Sequence, residues 1–263
     1  MSSSEATFSD RLKAGLQHPL PQHAISRLVH WITRIRTPAF KNLLIRRFIR
    51  RFGVDMSEAI ASEPGAYPCF NAFFTRALRQ DARPISADAG SIACPVDGRI
   101  SQIGAVDREN ILQAKGRTYS VLELLAGNAE LAGKFTNGEF ATLYLSPRDY
   151  HRIHMPLDGN LQKMLYVPGR LFSVNPPTTR VVPNLFARNE RVITVFDTAA
   201  GYMAVILVGA LNVGSIETVW AGEITRPRGT AVRAWQYTRD EISLKKGAEA
   251  LSLDKREVQQ AFT

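Results

Sequence analysis

The sequence has little cysteine, no long apolar run and, over one stretch, no acid at all. Cysteine occurs only at Cys69 and Cys94. The two lack CxxC spacing and have no histidine cluster beside them, which excludes a zinc finger or ribbon and a disulfide framework and fits a reducing compartment. No apolar run reaches the roughly 20 residues that cross a bilayer. The longest, Met203 to Val213, reads as a buried strand with its turn. The opening MSSSEATFSD has no cationic segment leading into an apolar one, so no cleaved leader is read there. Repeats and low-complexity tracts are also missing, and 263 residues of ordinary globular composition are enough to bury a full core.

The missing acid is informative. The net charge is +9, and no acidic residue lies between Asp10 and Asp55. That interval holds Arg11, Lys13, Arg27, Arg34, Arg36, Lys41, Arg46, Arg47, Arg50 and Arg51. Concentrated positive charge calls for an anionic partner, either nucleic acid or anionic lipid. Ile25, Leu28, Val29, Ile32 and Ile35 recur at helical spacing, Pro38 interrupts, and Phe40, Leu43, Leu44, Phe48, Ile49 and Phe52 form a second apolar face that Gly53 caps. Basic amphipathic helices of this kind suit a membrane interface. They equally suit a helical pair packed on its own domain. Nucleic acid fits less well, because the aromatics sit on the apolar faces.

From about Cys69 to Ile85, FNAFFTRALRQDARPI reads as a short helix leading to a Pro-marked turn, and near residue 91 the texture changes. Strand-like runs recur at ISQIG, EFATLYL, LQKMLYV, ERVITVF, MAVILVGAL and SIETVW, with one helical interruption, SVLELLAG, over Ser120 to Gly127. Long helices do not alternate with these strands, so a doubly wound sheet is disfavoured. The fold expected is α+β: N-terminal amphipathic helices on a mostly antiparallel β core, with residues 1–65 as a docking region and 66–263 as a β-rich catalytic domain.

Two segments are dense in titratable groups. Asp97 precedes Gly98 in CPVDGRI, a pair that by itself reads as a turn. His151 and His154 stand three apart in LSPRDYHRIHMPLDG, beside Asp149 and Arg152. Such a pair suits acid–base work near neutrality. A metal hydrolase would need a third ligand, and no HExxH context supplies one. Gly214 and Ser215 follow an apolar run, but Glu217 stands where a GxSxG elbow needs its second glycine.

In order along the chain, FNAFFTRALRQDARPI, CPVDGRISQIG, ILQAKGRTYSVLELLAG, YLSPRDYHRIHMPLDG, YVPGRLFSVN, VPNLFARNERV and VGSIETVWAGEIT resemble the bacterial phosphatidylserine decarboxylases, over about residues 20 to 249. The resemblance implies a lyase of phospholipid biosynthesis, made as a zymogen, that converts phosphatidylserine to phosphatidylethanolamine and CO2 with a covalent pyruvoyl group and without PLP or metal. It implies that Asp97 and His154 serve self-cleavage and that His151 serves substrate binding and decarboxylation. It further implies a small α subunit, a homodimer, no nucleic-acid partner, and peripheral attachment to anionic phospholipid on the cytoplasmic face of the inner membrane. The family forms its pyruvoyl group from the serine of an LGST motif. Here LKKGAE begins that region as expected, but ALSLDKREVQQAFT follows, and the family spacing places the serine at about Glu257. A form without that serine would be a truncated, frame-altered or inactive decarboxylase; the alternative is a non-catalytic homologue that binds anionic phospholipid. Arg152, Arg188 and Arg191 are possible partners for the lipid phosphate, since arginine suits phosphate.

Overall fold

The computed structural model describes residues 7–88, 90–107, 110–114, 117–225 and 229–252. The chain opens with three helices, α1 (Phe8–Gly15), α2 (Gln22–Thr33) and α3 (Pro38–Phe52), followed by the short α4 (Phe70–Phe74). Local chemistry sets their ends. Thr7 and Asp10 form a reciprocal capping box on α1, Pro38 starts α3 where no intrahelical N–H is needed, and Gly53 ends it at φ +66 with its N–H on the Ile49 carbonyl.

The rest is β-rich. In chain order come β1 (Arg99–Ala105), β2 (Asn110–Ala114), β3 (Arg117–Ser120), α5 (Val121–Leu124), α6 (Ala129–Gly133), β4 (Glu139–Tyr144), β5 (Arg152–His154) and β6 (Gly159–Val167). There follow α7 (Pro176–Val181), α8 (Leu185–Arg188), β7 (Arg191–Thr198), β8 (Gly201–Val208), β9 (Glu217–Thr218), β10 (Gly222–Glu223), β11 (Arg233–Gln236), β12 (Ser243–Leu244) and β13 (Glu249–Ser252). The named strands pair antiparallel throughout, in a sheet ordered β11-β6-β7-β8 with β12 beside β6, a second ordered β10-β9-β13-β5, and the ribbons β1-β4 and β2-β3. The α+β expectation therefore holds.

The main sheet is buried on both faces, which is why its strands read as apolar runs rather than alternating ones. Along β6 and β7 the side chains Met164, Tyr166, Val192 and Phe196 enter one core, while Leu165, Val167, Ile193 and Val195 enter another. The first core also takes Ile153 of β5 and Leu251 of β13, which locks the second sheet against the first. Each fully buried aliphatic or aromatic side chain here contributes about 1.5–3 kcal/mol. The expected strand SIETVW shrinks to the two residues of β9, because its neighbours turn to meet β10 and β13 rather than continuing a ladder. Ser120 caps α5 where the helical interruption was read, and Ala126 and Gly127 end it in left-handed geometry.

The first two helices turn polar residues inward, whereas α3 packs Ile45, with Leu44, Phe48 and Phe52, into a core against α4. The buried residues of α1 are Asp10 and Ala14, those of α2 are Gln22 and Ser26, and those of α3 are Lys41 and Ile45. Asp10 pairs with Arg180 of α7 at 3.0 Å, and Gln22 receives the Leu171 N–H at 2.8 Å. Several apolar residues face outward instead: Phe8 is 83% exposed, Trp31 65% and Leu43 63%, with Leu12, Leu16, Leu28 and Phe40 exposed beside them.

Candidate active site

The site is built on the turn that leads into β5. Asp149 closes the turn by accepting the Ser146 N–H at 2.6 Å, and β5 then runs between β13 and a backbone bond from His154 N–H to the Pro95 carbonyl, 2.9 Å. That bond brings the CPVDG segment, far away in sequence, alongside the two histidines.

His151 is buried and stacked on Phe74, with ring centroids 4.0 Å apart. Its Nδ1–H donates to the Asp149 carbonyl at 2.8 Å, since a carbonyl only accepts, and Nε2 is left with the lone pair. Burial pushes its pKa down to about 4; the Asp149 bond opposes this, and nearby Arg76 reinforces it. The ring is therefore neutral at physiological pH and receives a proton at Nε2. It lines a cavity of about 430 Å³, shared with Ser26, His30 and Thr33 of α2, Phe48 of α3, Phe74 of α4 and Ser215. Most of that wall is apolar, and much of it comes from α2 and α3.

His154 is fixed at both nitrogens. Nδ1–H donates to the Gly247 carbonyl at 2.8 Å, and the Tyr150 hydroxyl donates to Nε2 at 3.1 Å. Burial pushes the Tyr150 phenol up to about 12, so it stays a donor across the working range. His154 thus presents a basic Nε2 with a definite tautomer.

The carboxylate–imidazole contact expected between Asp97 and His154 is not formed. Asp97 is chelated by Arg83, whose Nε lies 2.7 and 2.8 Å from its two oxygens and whose other nitrogens hold Glu58. A bidentate guanidinium out-competes a neutral imidazole for a carboxylate. Two of the three arginines read as phosphate partners are structural instead. Arg152 is buried against Glu249 at 3.1 Å and the Thr75 carbonyl at 2.8 Å. Arg191 is buried against the carbonyls of Glu123, Leu124, Ala187 and Asn189. Only Arg188 is exposed.

Glu257, where the serine was expected, lies outside the described residues. The last described strand does locate the approach to it: Glu249 lies opposite His154 and Ser252 opposite Arg152, so the chain leaves β13 towards the His151 end of β5. Ser252 itself is buried within β13, and the Ser215 hydroxyl donates to Glu223 at 2.5 Å. Among the described residues no three His, Cys, Asp or Glu side chains group as a metal site.

Sequence reasoning missed Tyr150, Gly247, Phe74 and Arg83. Tyr150 stood within the histidine motif, four residues before the ring it contacts, and was open to discovery there. Phe74 and Gly247 are brought in from 77 and 93 positions away and Arg83 from 14, with no local signal.

A sequence profile described as Phosphatidylserine decarboxylase matches residues 70–250, and a second, described as PSD, matches residues 12–53. The chain is 61% identical to a phosphatidylserine decarboxylase proenzyme of Alkalilimnicola ehrlichii over 237 residues, 90% of this chain and 82% of that protein. It is 55% identical to one from Methylococcus capsulatus over 244 residues, 93% of this chain and 85% of the relative. A third, from Bordetella pertussis, is 56% identical over 245 residues, 92% of this chain and 82% of the relative.

Proposed function

The chain belongs to the phosphatidylserine decarboxylase family, and on that premise we propose that its N-terminal helices dock on an anionic membrane and pass phosphatidylserine into the cavity at His151. The observation that carries this reading is the reversed polarity of α1 and α2, which bury Asp10, Gln22 and Ser26 while exposing Phe8, Leu12, Leu28 and Trp31. A soluble surface has no use for that arrangement, whereas an interface solvates the apolar side in acyl chains and the arginines among headgroups. No described helix is long and apolar enough to cross a membrane. Attachment is therefore to one face, and the reading places it on the cytoplasmic face of the inner membrane.

Within the cavity, the apolar wall takes acyl carbon and His151 serves the headgroup. His151, neutral with Nε2 free to accept, takes a hydrogen bond from the substrate amine and holds it in the cavity. His154, held by Gly247 and Tyr150, supplies the base for self-processing, and Asp97 adds negative charge nearby once Arg83 releases it. The surroundings fit the family's pyruvoyl group: a largely apolar cavity, a neutral histidine and a strand that delivers the tail towards it. When bound, that group supplies the electron sink that carboxylate loss requires. Its precursor serine is the part that the sequence does not supply at Glu257.

The reading therefore expects two outcomes. The chain with its present tail binds phosphatidylserine vesicles and releases no CO2. With the tail after Glu249 rebuilt to carry Leu-Gly-Ser-Thr, it splits into two fragments and converts phosphatidylserine to phosphatidylethanolamine. Intact mass and labelled-CO2 release measure both. An uncut rebuilt chain that binds but stays inactive favours the second reading, an anionic-phospholipid-binding homologue, while CO2 from the present tail removes the requirement for the serine.

A further inference from the structure

Phe172 lies at the junction of α1 with the loop after β6 and is completely buried, yet much of its cover is cationic. The Arg170 and Arg188 guanidinium carbons lie 5.4 and 5.2 Å from its ring centroid, and the His18 ring lies 4.9 Å away. The backbone pairs the two arginines, because Arg170 N–H donates to the Arg188 carbonyl at 2.9 Å. Gly169 is required for that approach: a Cβ there would sit 2.5 Å from the Arg188 carbonyl oxygen. Arg170 also donates to the His18 carbonyl at 2.7 Å, which ties the pair to the end of α1.

Three other arginines of this chain have carboxylates: Arg180 has Asp10, Arg152 has Glu249, and Arg83 has Asp97 and Glu58. Arg170 and Arg188 have none within ion-pair distance among the described residues, and both are exposed. Stacking on one aromatic ring limits their freedom, so little rotamer entropy remains to be lost on binding an anion. Leu16 and Leu20, 60% and 38% exposed, flank His18 and continue the outward apolar row of Phe8 and Leu12. A bilayer resting on that row brings lipid phosphates to the level of the two guanidiniums. None of the three side chains lines the cavity at His151.

We propose that Arg170 and Arg188, carried on Phe172, form a headgroup site for the phosphodiester of a membrane lipid other than the molecule held at His151, and so fix the orientation of α1 on the bilayer. The paired N–H forks suit the non-bridging oxygens of a phosphodiester. This rests on the membrane-docking reading above.

The test compares the whole chain with R170Q/R188Q, R170K/R188K and, separately, L12D, all checked for unchanged thermal midpoint. Partition is measured onto phosphatidylcholine vesicles with and without phosphatidylglycerol, which offers an anionic phosphodiester but no serine amine. The expected result is a loss of about thirtyfold for R170Q/R188Q on the phosphatidylglycerol vesicles, from two near-surface cations. The charge-conserving R170K/R188K loses several-fold because it lacks the fork. Wild-type partition by either arginine variant overturns the site: unchanged Gln binding removes the pair altogether, and unchanged Lys binding reduces it to diffuse charge. Equal responses of the arginine Nε–H signals to inorganic phosphate alone and to the vesicles overturn the lipid assignment. If L12D abolishes binding while R170Q/R188Q does not alter it, this inference fails and the docking reading stands; if neither variant alters it, both fail.

Discussion

At the residue scale, His151 is the side chain whose surroundings are most unlike water. Its native pKa of about 4 lies below the ordinary histidine value of about 6.5. The unfolded chain therefore takes up a proton as pH falls through 6.5 while the native chain does not. The stability tied to the neutral ring is complete above about pH 6.5, is lost progressively down to pH 4 and changes no further below that. The difference is roughly 3 kcal/mol, at 1.36 kcal/mol per pKa unit. Urea unfolding at pH 7.5, 5.5 and 4.5 should show this slope in the wild type, and H151N should flatten it. Parallel slopes would show that burial does not hold the ring neutral. Gly247 makes a related case. It sits at φ +83, and a Cβ there would collide with the Ile85 side chain. G247A should displace the carbonyl that fixes the His154 tautomer, detectable as a shifted His154 Nδ1–H resonance with the fold retained.

At the element scale, one buried arginine joins three pieces. Arg191, at the start of β7, donates to carbonyls at the end of α5, the end of α8 and the turn between α8 and β7. It has no carboxylate partner among the described residues, and burial lowers its pKa only to about 10, so it stays charged. R191M keeps the volume but leaves those acceptors without donors in the interior, which costs about 3 kcal/mol or more. R191K restores one cation but not the fan of donors and should recover only part of the loss. Chemical denaturation gives both values; equal stability of wild type and R191M would mean that water takes over the carbonyls without penalty. The α1–α2 pair shows the opposite design. Its buried Asp10 and Gln22 are used up on protein contacts, and Leu12, Leu28 and Trp31 are left for a different solvent.

At the scale of the molecule, charge and shape act together. A net charge of +9, concentrated on the helices that expose apolar side chains, gives binding in which screened attraction precedes insertion. Partition onto anionic vesicles should fall steeply as salt is raised from about 0.05 to 0.5 M, because the Debye length shrinks from over 10 Å to below 5 Å. A residual fraction should persist through the apolar row, and L12D should remove it. Salt-independent partition would assign docking to burial alone. The cavity at His151 lies behind this surface, walled partly by α2 and α3, so capture and chemistry share the same helices.

By itself the sequence determined the elements whose signals are local. The caps of α1 and α3 follow from Thr7, Asp10, Pro38 and Gly53, and the apolar strands β6, β7 and β8 from runs too short for anything but a buried sheet. The acid-free basic arm and the family motifs likewise pointed to a lipid enzyme. Contacts between residues distant in the chain were decided by the tertiary structure. Nothing near Asp97 shows that Arg83 holds it, nothing near His154 points to Gly247, and periodicity cannot tell whether an amphipathic helix turns its apolar side in or out. Periodicity reports that a helix has two faces. Which face meets the protein depends on what the partner surface offers, and here α7 and the loop after β6 offer Arg180 and the Leu171 N–H, so the polar faces of α1 and α2 turn inward.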